Sequence, residues 1–307
     1  MKVFFLDSMD FTVFSEATSP NISALGWSRT DNGSDADLFC TRFDKTAKEF
    51  VEHQEGKNVL VYTHEPRYST LQEHVTTVNG NRLLCVNAFT GGQYFDDFAY
   101  FAWATKGLKL GSARIERSEI EQRKFSILLS RGGGNVPVWS KGKNVDLCGL
   151  RTAIGLIGNR RGLVDVYGKD WPVGISIESS GLGTANWVQR KLELCSEYKI
   201  NFCPENTLIT NYCTEKLWHA LASGCLPVYA GSPTVFEYFP RDSIVDARSF
   251  ETVEAMFDAL TTMATSEIVE RINRARTSFF LLLNRIHPGE TNSRRLTYLY
   301  SFITRSM

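Results

Sequence analysis

Short apolar runs alternate along this chain with stretches in which apolar residues recur every three or four positions. Runs of about four to eight residues bounded by polar ones are typical of buried strands, and the longer spacing is typical of one helix face. The runs predict strands at 2–6, 37–40, 58–63, 126–130, 163–167, 198–203 and 225–229. The spacing predicts helices at 44–54, from about Arg151, at 186–196, between Thr214 and Gly224, at 251–261 and at 266–283. This alternation predicts an α/β fold.

Chain length and one glycine-rich segment indicate two domains. A chain of 307 residues exceeds the usual size of a single hydrophobic core. The segment 131–144, RGGGNVPVWSKGKN, follows a predicted strand and separates two stretches of strand and helix alternation. We therefore expect a domain at 1–125 and a second at 126–307, each Rossmann-like, with a ligand cleft between them.

The segment 211–233, NYCTEKLWHALASGCLPVYAGSP, contains a predicted helix with two adjacent charges in its first turn. Thr214 is a suitable N-cap and Gly224 a suitable end for this helix. Glu215 and Lys216 then lie where backbone N–H groups are unpaired and the helix dipole is positive. An anion can bind at such a terminus, and Lys216 adds a full positive charge. The segment therefore predicts a phosphate site.

Charge balance and hydropathy narrow the class of protein. The chain has 34 basic and 34 acidic residues, so nucleic acid is not an expected partner. Asp7 interrupts the first apolar run, which is too short for a signal peptide or a membrane span. No later run reaches the roughly 18 apolar residues that a membrane helix needs. We expect a soluble, cytoplasmic protein without a transmembrane segment.

The seven cysteines, at positions 40, 85, 148, 195, 203, 213 and 225, form no CxxC pair. An odd number without such pairs disfavours both a disulfide framework and a zinc site. We expect buried free thiols, which behave as small apolar side chains.

Three segments resemble a known family. The segment 198–233 contains PENT at 204–207 and YCTEK at 212–216, followed by a predicted helix and an apolar strand. This succession resembles the donor-binding core of family 10 glycosyltransferases, the α1,3/α1,4-fucosyltransferases. The segment 58–69, NVLVYTHEPRYS, is similar to the family's strand followed by glutamate. The segment 151–169 is similar to its arginine-bearing helix and the strand that follows.

The resemblance implies a GT-B fold, in which two Rossmann-like domains face a central cleft. It also implies inverting transfer of L-fucose from GDP-fucose to a hydroxyl of a glycan acceptor, in an α1,3-type linkage. No divalent metal or other cofactor would be obligatory. By position, Glu65 would be the catalytic base, and Arg151 and Lys216 would hold the diphosphate. The fucose or ribose would be contacted by Asn206, Tyr212 and Glu215.

The chemistry of the residues agrees with these roles but leaves alternatives. Inverting transfer needs a carboxylate to deprotonate the acceptor and cations to stabilise the departing diphosphate. Glu65 directly follows the strand at 58–63, and strand ends border the cleft of such folds. Glu65 could instead be a loop carboxylate paired with Arg67, and Lys216 a solvated lysine.

The sequence is also compatible with other acidic sites, other donors and a function without catalysis. Asp35 and Asp37 match the Asp-x-Asp metal motif of another glycosyltransferase architecture, although we favour a structural role at the start of a strand. Asp96 and Asp97 lie in the aromatic stretch QYFDDFAYFAW and could line an acceptor groove. The donor could be another nucleotide sugar, such as GDP-mannose or a UDP-pentose. A catalytically silent nucleotide-sugar-binding protein is the alternative of a different class.

Overall fold

The structure is a computed structural model that describes residues 1–9, 13–14, 19–89, 114–179, 187–285 and 288–307. Its strands are β1 Lys2–Phe5, β2 Ser28–Arg29, β3 Leu38–Thr41, β4 Asn58–Thr63, β5 His74–Val78, β6 Asn81–Asn87, β7 Lys124–Leu129, β8 Trp139–Ser140, β9 Lys143–Asn144, β10 Asp165–Tyr167, β11 Ser176–Glu178, β12 Tyr198–Pro204, β13 Leu226–Ala230 and β14 Val245–Asp246. Its α-helices are α1 Ser19–Ala24, α2 Asp44–Glu52, α3 Arg117–Glu121, α4 Cys148–Arg160, α5 Trp187–Ser196, α6 Glu215–Ala222, α7 Val235–Tyr238, α8 Val253–Thr262, α9 Thr265–Arg285 and α10 Pro288–Ser306.

The first sheet has the strand order β2-β1-β3-β4-β6-β5. All its pairings are parallel except that between β5 and β6. Strand β4 is buried along its length after Asn58, as expected of a central strand in a parallel sheet. Val59 and Val61 pack in a core cluster with Ala47 and Val51 of α2. The sequence-predicted α/β alternation is confirmed here.

The β5–β6 hairpin was not predicted. Its two-residue turn is Asn79–Gly80, with φ values of 50° and 74°. A type I′ turn requires positive φ at both positions, and Asn-Gly is the sequence that adopts it most readily. The Asn-Gly dipeptide was therefore a sequence signal for this hairpin.

The second sheet has the order β11-β10-β7-β12-β13-β14, and all its pairings are parallel. Leu128, Phe202 and Val228 of its central strands share a core cluster with Ile154 of α4 and Phe257 of α8. The carboxyl ends of β12 and β13 lie side by side, because Pro204 is opposite Ala230. The fold thus contains a second Rossmann-like sheet, as predicted.

The chain divides into two compact units, one of Met1–Trp103 with His287–Met307 and the other of Ala104–Ile286. We call these the first and second units. Their limits differ from the expected domains at 1–125 and 126–307. Two contacts explain the difference.

The segment before β7 belongs to the second unit because Ile115 exchanges two hydrogen bonds with the Asn273 side chain, at 2.9 and 3.0 Å. Helix α10 belongs to the first unit, where the Tyr298 hydroxyl donates to Glu73 Oε2 at 2.7 Å. The sequence pattern did not predict α10 as a helix.

Two further expectations concern the cysteines and the membrane. All seven cysteines are buried free thiols, as predicted. Among the residues that the structure describes, no helix has the length and hydropathy needed to cross a membrane.

Candidate active site

Helix α6 begins beside the carboxyl end of β12 and carries two of the predicted site residues. Its N-cap is Thr214, in an extended conformation, and Gly224 follows its end with a φ of 67°. Both limits agree with the sequence prediction. The Thr214 side chain makes no capping bond, however; its hydroxyl donates to Glu205 Oε2 at 2.7 Å. The cap residue therefore binds a buried carboxylate.

Glu205 is the centre of this arrangement. Its side chain is fully buried and also accepts hydrogen bonds from Thr214 N at 2.7 Å and from Lys216 Nζ at 3.3 Å. Burial raises the pKa of Glu205, whereas Lys216 and the hydrogen bonds from Thr214 act to lower it. Gly231 makes room for the carboxylate, since a Cβ there would lie 2.7 Å from Glu205 Cγ and overlap the Tyr229 hydroxyl.

Lys191, Glu215 and Lys216 extend the network along the first turn of α6. One oxygen of Glu215, Oε1, lies 3.6 Å from Lys191 Nζ and 3.7 Å from Lys216 Nζ. Burial acts to raise the pKa of Glu215, but Lys216 and Lys191 hold it well below its usual value. Lys216 Nζ also donates to the Thr214 hydroxyl at 2.9 Å. Two ammonium groups and two carboxylates thus form a compact network.

Arg151 and Asn206 are brought together at the start of α4. The buried Arg151 donates from Nη1 to Asn206 Oδ1 at 2.6 Å and from Nη2 to Cys148 Sγ at 3.2 Å. Its Nε has no hydrogen-bond partner, and among the described residues no carboxylate pairs with it. Within the described part of the chain, the positive charge of this guanidinium is therefore not balanced by a carboxylate.

Two backbone hydrogen bonds hold Arg151 and Asn206 close together. Leu147 N donates to the carbonyl of Asn206 at 3.0 Å, and Leu208 N donates to the carbonyl of Val145 at 2.7 Å. These bonds tie the turn after β12 to the start of α4. The helix begins at Cys148, three residues before the predicted start, which places Arg151 within its first turn.

Tyr212 lies inside the unit. Its side chain is completely buried, and its carbonyl accepts a hydrogen bond from the Tyr229 hydroxyl at 3.5 Å. In this arrangement the ring supports the loop before α6. Its predicted contact with fucose or ribose would require that loop to open.

Glu65 lies in the first unit, two residues after β4 ends at Thr63. Its backbone is held firmly, because Glu65 N donates to the Thr63 hydroxyl at 3.1 Å and its carbonyl accepts from Arg67 N at 2.9 Å. The Thr70 hydroxyl also donates to the Glu65 carbonyl. The Glu65 side chain is exposed. This residue therefore combines a fixed backbone with an accessible carboxylate at the carboxyl end of a central strand.

The two other acidic pairs of the sequence are Asp35 with Asp37 and Asp96 with Asp97. Asp37 Oδ2 accepts a hydrogen bond from Lys2 N at 2.6 Å, which supports a structural role at the edge of β1. Within the described ranges, no group of three or more His, Cys, Asp or Glu side chains could hold a metal ion. Asp96 and Asp97 lie outside the described residues.

Two residues of the network were not among the predicted site residues. Glu205 lies in the PENT motif at 204–207, but no role was predicted for it. Lys191 lies on the buried face of α5 with Leu194 and Cys195. A lysine at the spacing of an apolar helix face was a sequence signal, because lysine is almost never buried without a partner.

Comparison with known proteins gives a family match for part of the second unit. Residues 163–270 match the family described as "Glycosyltransferase family 10 (fucosyltransferase) C-term". An alpha-(1,4)-fucosyltransferase of Arabidopsis thaliana is 35% identical over 72 residues, which cover 24% of this chain and 18% of that protein. The alpha-(1,3)-fucosyltransferase FucT of Helicobacter pylori is 39% identical over 71 residues, which cover 23% of this chain and 15% of that protein. The chain thus spans less than a fifth of the length of these relatives.

Among solved structures, one described as an alpha1,3-fucosyltransferase with GDP-fucose has a TM-score of 0.48 and 15% identity. The comparison covers 93% of this chain and 90% of that one. The family match at residues 163–270 lies within the second unit and includes the PENT and YCTEK motifs, so the resemblance seen in those motifs is confirmed. Residues 163–270 are thus similar to the C-terminal domain of glycosyltransferase family 10, the fucosyltransferase family.

Proposed function

We propose that this chain is an inverting fucosyltransferase that moves L-fucose from GDP-fucose to a hydroxyl of a glycan acceptor, in an α1,3-type linkage. The family match supports fucose transfer. The observation that carries the proposal is the buried guanidinium of Arg151, which donates to Asn206 and Cys148 and pairs with no carboxylate of the described residues. A diphosphate would supply the opposite charge that this group lacks.

The proposed reaction is a single displacement. The acceptor oxygen bonds to C1 of fucose while the bond from C1 to the β-phosphate oxygen breaks and its electron pair leaves with GDP. Glu65 takes the proton of the acceptor hydroxyl. Lys216 and Arg151 stabilise the charge that develops on the diphosphate, which is the role of fixed cations in such transfers.

The positive charges at this site are the reason why we expect transfer to proceed without a metal ion. Arg151, Lys216 and the N-terminus of α6 provide positive charge without a divalent ion. We infer that transfer needs no metal or other cofactor. Activity in excess EDTA supports this part of the proposal, and activity that is lost with EDTA and restored by manganese overturns it.

A transfer assay on a glycan array with labelled GDP-fucose tests the function. We expect label on acceptors that expose a free hydroxyl, and an NMR spectrum of the product that shows an α-fucoside formed from the β-linked donor. Glu65→Gln serves as the matched inactive variant. Thermal-shift assays with GDP, UDP and their sugars test the donor. Stabilisation by UDP but not by GDP would contradict GDP-fucose, and GDP binding without any transfer or donor hydrolysis would indicate a silent binding protein.

A further inference from the structure

Lys191 is a buried lysine with no role in the proposed reaction. Its side chain is 4% exposed. Burying an ammonium group costs several kcal/mol unless a partner offsets the loss of hydration. The partner is Glu215, whose Oε1 lies 3.6 Å from Lys191 Nζ. Lys191 therefore acts on the first turn of α6 from the neighbouring helix α5.

The carboxylate of Glu215 faces both ammonium groups with the same oxygen. Oε1 lies 3.6 Å from Lys191 Nζ and 3.7 Å from Lys216 Nζ. The Glu215 side chain is 15% exposed. A carboxylate fixed in this way is ionised and oriented, and its second oxygen is available to accept hydrogen bonds from a ligand.

The position of Glu215 indicates which ligand group it meets. A phosphate would be repelled by the carboxylate and is better placed at the adjacent Lys216. The ribose is the group bonded directly to the diphosphate, and its hydroxyls are hydrogen-bond donors. On the basis of the proposed function, we propose that Lys191 is a positioning residue that fixes Glu215 so that Oε2 accepts hydrogen bonds from the ribose hydroxyls of GDP.

Without Lys191, the geometry of the site would change in a specific way. Glu215 would keep Lys216 as its one ammonium partner, and its carboxylate would be free to turn toward it. The hydrogen bonds to the ribose would then be lost. Lys191→Arg keeps the positive charge and should retain most of the hydrogen bonding between Glu215 and the ribose.

Calorimetric binding of GDP and of 2′,3′-dideoxy-GDP separates these contributions. Hydrogen bonds to a charged group contribute enough for wild type to prefer GDP by about 10-fold or more. We expect Lys191→Met to bind GDP about 10-fold more weakly, to bind the dideoxy nucleotide almost as wild type does, and to lose most of the preference. Lys191→Arg should keep most of it. Lys124→Met is the matched control, because Lys124 is an exposed lysine paired with Glu197 at the amino end of β7.

Several results would overturn this inference. An unchanged preference in folded Lys191→Met means that Lys191 does not act on the ribose contact. An equal loss for both nucleotides means that it acts through charge on the diphosphate. If Lys191→Met does not fold, two other variants decide. Glu215→Gln must lose the preference for GDP over the dideoxy nucleotide, and Lys191→Arg must keep it. Any other outcome contradicts the inference. A wild-type protein that neither binds GDP nor transfers fucose overturns the proposed function as well, whereas transfer with an unaltered preference in the variants overturns only the role of Lys191.

Discussion

The charged groups of the two units differ in how they are held. In the second unit, Glu205 and Lys191 are buried, Lys216 is 15% exposed, and each contacts an opposite charge. In the first unit, Glu65 has a fixed backbone and an exposed side chain. A buried network is positioned before any ligand arrives, but the loss of one member leaves another uncompensated. An exposed carboxylate can be changed with little effect on folding.

This comparison predicts that substitutions in the second unit alter stability and binding together, whereas substitution of Glu65 alters chemistry alone. Four experiments test it.

Glu65→Gln should have the largest effect. The amide keeps the size of the side chain but cannot accept the proton, so the transfer rate should fall by roughly 10²–10⁴-fold, the usual scale of general-base catalysis. The melting temperature and the affinity for GDP should stay at wild-type values. Glu49→Gln, which changes an exposed glutamate of the same unit, is the control. A Glu65→Gln variant that transfers fucose at the wild-type rate would show that Glu65 is structural.

Lys216→Met should weaken both folding and donor binding. It leaves Glu205 buried without its ammonium partner, and breaking a buried ion pair typically costs about 3 kcal/mol or more. Urea unfolding measures the loss, and calorimetry measures the weaker binding of GDP. The double variant Lys216→Met/Glu205→Gln should recover part of the stability, because no buried charge is then left unpaired. Without such recovery, the ion pair is not the source of the loss.

Gly231→Ala should destabilise the second unit by about 1–3 kcal/mol, as expected when a well-packed site receives an extra methyl group. The methyl would press on Tyr229 and Glu205. Gly149→Ala is the control, because the nearest atom to a Cβ there is Asp146 Oδ2 at 3.9 Å. Chemical denaturation of both variants measures the difference. Equal stability of the two would contradict the close packing at Gly231.

His64 should contribute to stability in a way that depends on pH. Burial, together with Arg295 and Arg42, lowers the pKa of His64 to about 3 from an ordinary value of 6.5. The unfolded chain therefore binds a proton at a higher pH than the fold does. The contribution of His64 to stability is full above pH 6.5 and is lost as the pH falls toward 3.

The slope from one such group is at most about 1.4 kcal/mol per pH unit. Denaturation of wild type and of His64→Gln between pH 4 and 7 should show a shallower slope for the variant, with exposed His53→Gln as the control. Identical slopes would exclude His64 as a source of the pH dependence.

The sequence predicted those parts of the site that depend on local pattern. The start of α6 after Thr214 and its end at Gly224 follow from capping chemistry within a single segment. Both sheets follow from alternating strands and helices. The Asn79–Gly80 turn was equally local and was overlooked.

The remaining features depend on contacts between distant segments. The Thr214 hydroxyl donates to Glu205 at 2.7 Å because β12 brings that carboxylate to the start of α6. The pairing of Arg151 with Asn206 joins residues 55 positions apart. Lys191 reaches Glu215 from another helix. No periodicity in one segment encodes such pairs, which arise only when the sheet places its strand ends together.

The burial of all seven native thiols has a practical consequence. Thiol-reactive dyes should label introduced surface cysteines selectively without prior removal of the native ones. Lys45 in the first unit has a side chain that is 86% exposed, and Val173 in the second unit is fully exposed. A cysteine at each position would carry a fluorophore pair. Single-molecule energy transfer between the dyes would then report whether GDP changes the separation of the two units.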